Sequence, residues 1–120
     1  MSAAQNLEIA RAWLAAFNAH DLVALLALYD AKATHASPKI RALHPDTGGK
    51  LVGKPALEAW WKGALARLPG LRYEETALTA SDAQVFLEYV RHAPGEAPMF
   101  VAEAFEIEDG RIVASRVYHG

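Results

Sequence analysis

The apolar residues of this chain change their spacing at Pro69-Gly70, and this change constrains the fold more than any other feature of the sequence. Before it, apolar side chains recur at the spacing of helices that bury one face. After it, apolar and polar residues alternate as in half-buried strands. The alternating runs are residues 71–80, 83–92, 98–108 and 111–119. Helices followed by a run of strands predict an α+β fold, with the helices packed on one face of a bent sheet.

The first half of the chain predicts three helices. The first covers residues 3–19, and Asp21 provides an N-cap for a short second helix because its carboxylate can accept a hydrogen bond from a free amide. The third begins at Pro55, which suits a first helical turn, and ends before Pro69-Gly70. The apolar stripes are Leu7, Ala10, Leu14 and Phe17, then Leu22, Leu25, Leu26 and Tyr29, then Leu57, Trp60, Trp61, Ala64, Leu65 and Leu68.

The residues between the second and third predicted helices favour a short strand and a long loop. In residues 32–37 the alternation places His35 and Ser37 on one side, and Pro38 ends the run, which is typical of an edge strand. Residues 38–52 contain two prolines and two glycines and show little periodicity. A connection of this length in a compact domain is more often a binding loop or lid than a plain turn.

The composition predicts one domain, residues 1–120, with no role in nucleic-acid binding. A chain of 120 residues with 52% hydrophobic residues can bury one core. Lys+Arg number 12 and Asp+Glu 14, and their mixing along the chain leaves no basic stripe that would neutralise phosphates. Polar residues interrupt the N-terminal stretch, which argues against a signal peptide, and nothing approaches a membrane span. With cysteine absent as well, we expect a cytoplasmic protein with no membrane partner.

Four stretches of the chain carry a resemblance to a known superfamily. They are AFNAHDL, LALYDAKATHASP, GKPALEAWW and AFEIEDGRIVASRVYHG. In this order the chain resembles the nuclear transport factor 2-like superfamily, and most closely its SnoaL-like and ketosteroid isomerase-like bacterial members. The resemblance implies a cystatin-like fold, in which a curved antiparallel sheet wraps around three N-terminal helices and forms a cone with a central pocket. Its members include isomerases, dehydratases, epoxide hydrolases, polyketide cyclases and noncatalytic binders, so the resemblance is specific for the fold and weak for the reaction.

The catalytic pattern of ketosteroid isomerase carries over only in part. By the resemblance, its general-base aspartate falls on Ser37 and its oxyanion tyrosine on Trp13. Its second oxyanion donor, a protonated aspartate, falls on Glu103. Because only Glu103 keeps the chemistry of its counterpart, ketosteroid isomerisation by that route is excluded, while the pocket remains.

Glu103 and His35 are the candidate catalytic residues. Glu103 shares a strand face with apolar residues, where a carboxylate must be hydrogen-bonded, paired or protonated. The alternative is a structural ion pair with an arginine such as Arg91. His35 shares a face with Ser37 that the resemblance aims into the cone, and its imidazole can act as acid or base near neutral pH. The alternative for His35 is a core histidine bonded to a backbone carbonyl.

The candidate substrate-binding residues combine aromatic side chains of the helices and strands with polar groups expected near the pocket. Aromatic residues at helical spacing are often plain core, so about half of these are expected in the core and half in the pocket wall. Trp61 and Tyr89 match pocket positions of the superfamily. The residues are Trp13, Phe17, Tyr29, Ser37, Trp61, Tyr89, Arg91 and His119.

Two sequence patterns suggest a phosphate site and a metal site, but each lacks a feature that such a site needs. Residues 48–54 have the glycine and lysine spacing of a phosphate loop, but Pro55 stands where a magnesium-binding serine or threonine is needed. The five histidines lack the helical spacing of a zinc protease, and the chain has no thiolate. We therefore expect neither a metal nor an organic cofactor.

Two hypotheses about function follow. The first is an enzyme, such as an isomerase, dehydratase or polyketide cyclase, that uses His35 and Glu103 on a small, largely apolar substrate. The second is a noncatalytic ligand-binding or dimerisation domain of the same fold. The convex sheet face is too apolar for a monomer, which predicts a twofold homodimer. This face carries Phe86, Glu88, Val90, Ala102, Ala104, Ala114, Arg116 and Tyr118.

Overall fold

The computed structural model describes residues 2–119, which form four α-helices and one six-stranded sheet. The helices are α1 (Ala3–Asn18), α2 (Leu22–Ala27), α3 (Pro38–Leu43) and α4 (Lys54–Arg67), and a 3₁₀ turn covers Pro45–Thr47. The strands are β1 (Tyr29–Ala36), β2 (Lys50–Val52), β3 (Arg72–Ala80), β4 (Gln84–His92), β5 (Met99–Glu108) and β6 (Arg111–His119). The predicted α+β class is confirmed.

The sheet runs in the order β2-β1-β6-β5-β4-β3 and is curved without closing into a barrel. The long strands β3 to β6 form the predicted antiparallel meander. Pairing slips between Glu75 and Ala77 of β3 and between Glu106 and Ile107 of β5. Such irregularities bend a strand and increase its twist, so they help the sheet to curve around the helices.

Local signals in the sequence account for most of the element ends. Asp21 accepts a hydrogen bond from the Ala24 amide at 3.0 Å, as an N-cap does. Between β5 and β6, Asp109 and Gly110 have φ of 50° and 77°. Positive φ at both central residues is what a type I′ hairpin needs, and an Asp-Gly pair adopts it readily.

The first strand corrects the prediction in three respects. It begins at Tyr29, a residue that the helical stripe had assigned to α2. It is an interior strand, because Lys50–Val52 pairs with it and takes the edge. It also runs parallel to β6, so the sheet is mixed rather than wholly antiparallel. A three-residue strand has too few side chains to show an alternating pattern, which is why the sequence did not reveal β2.

The predicted loop of residues 38–52 is largely structured, and it adds a helix to the predicted three. Ser37 caps α3 by accepting a hydrogen bond from the Ile40 amide at 3.1 Å, and Pro38 occupies the first turn. The Ser37-Pro38 pair therefore marks the start of α3 as well as the end of β1. Ile40 of α3 is completely buried, so the helix is part of the folded body.

The helices and the concave face of the sheet enclose one aromatic core. Helix α1 packs on β3 and β4, and α4 packs on β1 and β2. Trp13 and Phe17 of α1, Tyr29 of β1 and Phe105 of β5 are among the largest fully buried side chains. Within residues 2–119, no helix is long and apolar enough to cross a membrane.

The outer face of the sheet leaves three aromatic side chains in solvent. Phe86, Phe100 and Tyr118 are 40%, 72% and 50% exposed, and they lie on the adjacent strands β4, β5 and β6. An Arg116–Glu106 ion pair borders them. Clusters of this kind mark interaction surfaces in soluble proteins. We propose that a second copy of the chain covers this face in a twofold homodimer.

The dimer is tested by Phe100→Glu, which places a charge in the proposed interface. Light scattering should give twice the monomer mass for the unaltered protein and the monomer mass for the variant, because burying an unpaired carboxylate is costly. Val23→Glu is the matched control, since Val23 is 82% exposed on α2, away from the sheet, and should leave the mass unchanged. A monomer for the unaltered chain at micromolar concentration would show that the exposed face has no partner copy.

Candidate functional site

A cavity of about 430 Å³ lies between the concave face of the sheet and the helices α1, α3 and α4. Its size is within the usual range for a site that takes a small organic molecule. We call it the central cavity. Most of its wall is apolar or aromatic, and a few polar groups interrupt it. It is lined by Trp13, Phe17, His35, Ser37, Lys39, Ala42, Leu43, Trp60, Trp61, Ala64, Arg67, Leu68, Leu71, Tyr73, Tyr89, Arg91, Glu96, Val101, Glu103, Val117 and His119.

All the predicted site residues line the central cavity except Tyr29. Tyr29 is fully buried behind the wall, where its hydroxyl bonds to Trp13 and Ser115. Tyr29 therefore does not line the central cavity as predicted. The reason is the strand start described above, because β1 turns Tyr29 into the core rather than onto a helix face.

Several lining residues were not predicted from the sequence. Tyr73 stacks on both Phe17 and Tyr89, with ring centroids 4.1 and 4.2 Å apart. The alternation of residues along β3 could have predicted that Tyr73 faces the cavity. Lys39 and Arg67 lie on helices, so no alternating strand pattern could have predicted that they reach it. The other unpredicted residues are Ala42, Leu43, Trp60, Ala64, Leu68, Leu71, Glu96, Val101 and Val117.

Glu103 is a completely buried carboxyl group with one free oxygen. The Tyr89 hydroxyl donates to its Oε1 at 3.0 Å, and its Oε2 has no hydrogen-bond partner among the described residues. Burial raises the pKa of Glu103 from 4.5 to about 8, although the Tyr89 hydrogen bond lowers it. The alternative ion pair with Arg91 is absent, because Arg91 Nη1 bonds instead to Glu96 Oε1 at 2.7 Å. Near pH 7 Glu103 is therefore mostly protonated.

His35 lies beside Glu103 without a direct hydrogen bond to it. Its Nδ1 is 4.0 Å from Glu103 Oε2, which is too long for a hydrogen bond. The same Nδ1 is 2.6 Å from the Ser115 hydroxyl, so the partner is a side chain and not the backbone carbonyl of the alternative reading. Burial lowers the pKa of His35 from 6.5 to about 3. The imidazole is therefore neutral near pH 7.

A chain of hydrogen bonds behind the cavity wall fixes which nitrogen of His35 carries the proton. Trp13 Nε1–H can only donate, and it donates to the Tyr29 hydroxyl at 3.1 Å. The Tyr29 hydroxyl proton then has the Ser115 oxygen, at 2.9 Å, as its acceptor. The Ser115 hydroxyl in turn donates to His35 Nδ1. His35 therefore carries its proton on Nε2, and this N–H has no partner in the described chain.

An aromatic column forms the wall beside these polar groups. Trp13 stacks on Phe17 at 5.3 Å between centroids, and the stack continues through Tyr73 to Tyr89. Tyr89 ends the column and is also the donor to Glu103. Tyr89 therefore contributes its ring to the apolar wall and its hydroxyl to the hydrogen bond with Glu103.

The two positions that lost the ketosteroid isomerase chemistry have structural bonds instead. Ser37 lines the cavity, but its hydroxyl caps α3. Trp13 also lines the cavity, but its N–H points away to Tyr29. The polar groups that remain for a ligand include Glu103 and His35 on the sheet, together with Lys39, Arg67, Tyr73, Arg91, Glu96 and His119.

A concave sheet closed by helices around an apolar cavity defines a protein of the nuclear transport factor 2-like fold. The chain belongs to the SnoaL-like domain family, whose model matches residues 10–115. Proteins of this fold include ketosteroid isomerases and polyketide cyclases. A comparison with curated proteins gave no match.

Solved structures support the same assignment. A SnoaL-like protein of unknown function from Burkholderia thailandensis is 30% identical, with a TM-score of 0.88 over 100% of this chain and 98% of that one. Bal32a, from a soil-derived mobile gene cassette, is 25% identical, with a TM-score of 0.83 over 98% and 90% of the two chains. TerC, co-crystallised with polyporic acid, is 17% identical, with a TM-score of 0.83 over 97% and 92%, and shows the shared fold alone.

The raised pKa of Glu103 predicts how stability depends on pH. Between the ordinary pKa of 4.5 and the folded value of about 8, the unfolded chain loses the proton that the folded chain keeps. Stability associated with this group is fully present below pH 4.5 and falls by at most about 1.4 kcal/mol per pH unit up to about 8. Glu103→Gln does not titrate, so its free energy of unfolding relative to the unaltered protein should rise across this window. Urea unfolding at a series of pH values measures the difference.

The matched control for the pH experiment is Glu58→Gln, which removes an exposed carboxylate from α4, outside both the central cavity and the outer face of the sheet. Its stability difference from the unaltered protein should stay nearly constant with pH. Parallel curves for Glu103→Gln and the unaltered protein would mean that Glu103 titrates at its ordinary pKa and is solvated in the folded state.

The hydrogen-bond chain predicts the tautomer of His35. With ¹⁵N-labelled histidine, NMR should show His35 Nδ1 as an unprotonated acceptor and Nε2 as a protonated nitrogen. Tyr29→Phe removes the hydroxyl that orients Ser115, so the variant should show both tautomers. His20 is the internal control, because its Nε2 bonds to the Leu71 carbonyl at 2.7 Å and must stay protonated in both proteins. A protonated Nδ1 in the unaltered protein would reverse the direction assigned to the chain.

Proposed function

We propose that this protein is an acid–base enzyme that moves a proton at a carbon atom next to a carbonyl group of a small, largely apolar substrate. Glu103 acts as the base, and His35 donates a hydrogen bond to the carbonyl oxygen. The observation that carries the proposal is the free Oε2 of Glu103, a buried carboxyl oxygen without a partner beside a neutral imidazole. A purely structural carboxyl group would normally have both oxygens bonded.

The pKa of Glu103 suits this role. With a pKa of about 8, roughly a tenth of the molecules carry the carboxylate at pH 7, and that carboxylate is a stronger base than an exposed one. Tyr89 remains bonded to Oε1 in either protonation state, which leaves Oε2 to react. The activity should therefore increase with pH up to about 8 and then level off.

His35 is suited to stabilise charge on an oxygen and not to remove a proton. Its Nδ1 accepts from Ser115, and its lowered pKa keeps the ring neutral. A neutral imidazole N–H can polarise a carbonyl group in an active site, as the histidine of triosephosphate isomerase does. Nε2–H is the donor that His35 has available for the substrate.

The proposed step conserves protons and electron pairs. The Glu103 carboxylate takes the proton from carbon, the C–H electron pair forms a C=C bond, and the carbonyl π electrons move to oxygen. His35 Nε2–H stabilises the resulting enolate oxygen. Glu103 then returns the proton. In a β,γ-unsaturated ketone the proton goes to the γ carbon, the carbonyl re-forms, and the product is the conjugated isomer. In a β-hydroxy ketone the proton goes to the β-hydroxyl, the carbonyl re-forms as the C–O bond breaks, and water leaves. Isomerase and dehydratase reactions both begin with this enolate.

The cavity wall supports a substrate with a flat, apolar body. The aromatic column from Trp13 to Tyr89 and the apolar residues of α4 offer such a body a dry surface. The fold neighbour TerC was co-crystallised with polyporic acid, which supports binding of a small organic molecule by this fold.

Deuterium exchange tests the proposed chemistry without knowledge of the substrate. In D₂O, 2-tetralone is an apolar cyclic ketone whose α-protons exchange slowly, and NMR follows the loss of their signals. The protein should accelerate this exchange, and Glu103→Gln should reduce the acceleration by about two to four orders of magnitude. The variant keeps the size of the side chain and removes only its acid–base function.

Glu58→Gln is again the matched control and should exchange 2-tetralone like the unaltered protein. If 2-tetralone binds by calorimetry while the exchange rate stays at that of buffer, the cavity binds without catalysis and the noncatalytic hypothesis is correct. If Glu103→Gln keeps the full acceleration, Glu103 is a structural residue.

A further inference from the structure

The central cavity has an excess of positive charge at one side, which the acid–base pair does not use. Lys39 of α3, Arg67 at the end of α4, Arg91 of β4 and His119 of β6 all line it. The acidic lining residues are Glu96 and Glu103. We call Lys39, Arg67 and Arg91 the cationic rim.

Among residues 2–119, the carboxylates that line the cavity do not balance the cationic rim. Glu103 is mostly protonated near pH 7, so Glu96 is the lining carboxylate that carries charge. Glu96 pairs with Arg91, and Lys39 and Arg67 have no salt bridge in the described part of the chain. The rim therefore carries more positive than negative charge.

The rim residues are close enough to affect one another. The pKa of Lys39 is lowered by burial first and then by the charge of Arg91, while Glu96 raises it and Arg67 lowers it further. The pKa of His119 is lowered by burial and by the charges of Lys39 and Arg91. Like charges brought together beside an apolar wall destabilise the empty site, and an anion bound among them would relieve the repulsion.

Arg91 has donors that can bind such an anion. Its side chain is only 6% exposed, so its position is fixed by packing. Within the described residues, its one side-chain hydrogen bond is from Nη1 to Glu96. A guanidinium offers further N–H donors in a planar fork that matches a carboxylate, and those of Arg91 stay available to the cavity.

From this arrangement we propose that the substrate is an organic carboxylate, with its anionic group at Lys39 and Arg91 and its apolar body on the aromatic column. This inference rests on the proposed function, because it assigns the substrate of the same cavity. Together they specify an apolar keto acid, whose carbonyl group lies at His35 and Glu103 and whose carboxylate lies at the rim. The apolar wall is the reason for an organic acid instead of inorganic phosphate, which would gain nothing from it.

A matched pair of probes tests the charge preference directly. Calorimetry compares 2-naphthoate with 2-naphthamide, which have the same ring system and differ in the carboxylate. The unaltered protein should bind the acid roughly 10-fold more tightly or better, because hydrogen bonds to a charged group are stronger than neutral ones. Equal affinities, or no binding of 2-naphthoate at millimolar concentration, would overturn the inference.

Lys39→Gln removes one charge of the rim at a half-buried helix position. It should weaken 2-naphthoate binding roughly 3- to 10-fold and leave 2-naphthamide unchanged. Lys50→Gln is the matched control, since it makes the same change of net charge at an exposed residue outside the cavity. An equal loss for both probes in Lys39→Gln, or an equal loss of 2-naphthoate binding in Lys50→Gln, would contradict a carboxylate site at the rim.

Two further comparisons separate this inference from the proposed function. Inorganic phosphate should bind much more weakly than 2-naphthoate, and equal affinity would show that the rim is a general anion site. Glu103→Gln should keep its preference for 2-naphthoate, because Glu103 is not part of the rim. If the protein accelerates the exchange of 2-tetralone but binds 2-naphthoate and 2-naphthamide equally, the carboxylate site alone is refuted. If it prefers 2-naphthoate but does not accelerate the exchange, the catalytic proposal alone is refuted.

Discussion

The burial of one carboxyl group in an apolar cavity is the constraint on which the rest of the site depends. A bare carboxylate at Glu103 would be very costly, and the structure avoids that cost with a proton and a single hydrogen bond from Tyr89. Register makes this possible, because Glu103 lies between Leu87 of β4 and Val117 of β6 on the concave face. A slip of one residue would turn Glu103 to the outer face and remove the site.

The helices and the sheet contribute different things to the site. The sheet holds the polar groups rigidly, since His35, Tyr89, Arg91 and Glu103 all belong to strands, and rigid elements position reacting groups better than loops do. The helices supply the enclosure: α1 brings two rings of the aromatic column, and α3 and α4 each bring one cation to the rim. Changes in α3 or α4 can therefore alter which ligand fits without disturbing the polar pair.

The sequence was informative where a local pattern has one physical meaning. Alternation along β5 placed Glu103 toward the cavity, and Asp109-Gly110 located the last hairpin. It was uninformative where pairing decides the structure, because β2 is too short to show a period and no pattern reports that β1 lies beside β6. Ser115 was visible as a polar residue on an alternating strand, yet its bond to His35 depends on that pairing. The direction of the hydrogen-bond chain likewise needed the positions of all four side chains.

The parallel pairing of β1 with β6 has a consequence for the order in which the protein folds. The bonds from Ser115 to His35 and to Tyr29 join residues 80 and 86 positions apart, across almost the whole chain. Contacts of such long range carry a large loop-closure entropy, so they form after the local hairpins of β3 to β6. An intermediate that contains strands β3 to β6 and α1 would already have the aromatic column and the buried Glu103. The orientation of the His35 imidazole would be set only when β1 pairs with β6. The environment of His35 should therefore report the last step of folding.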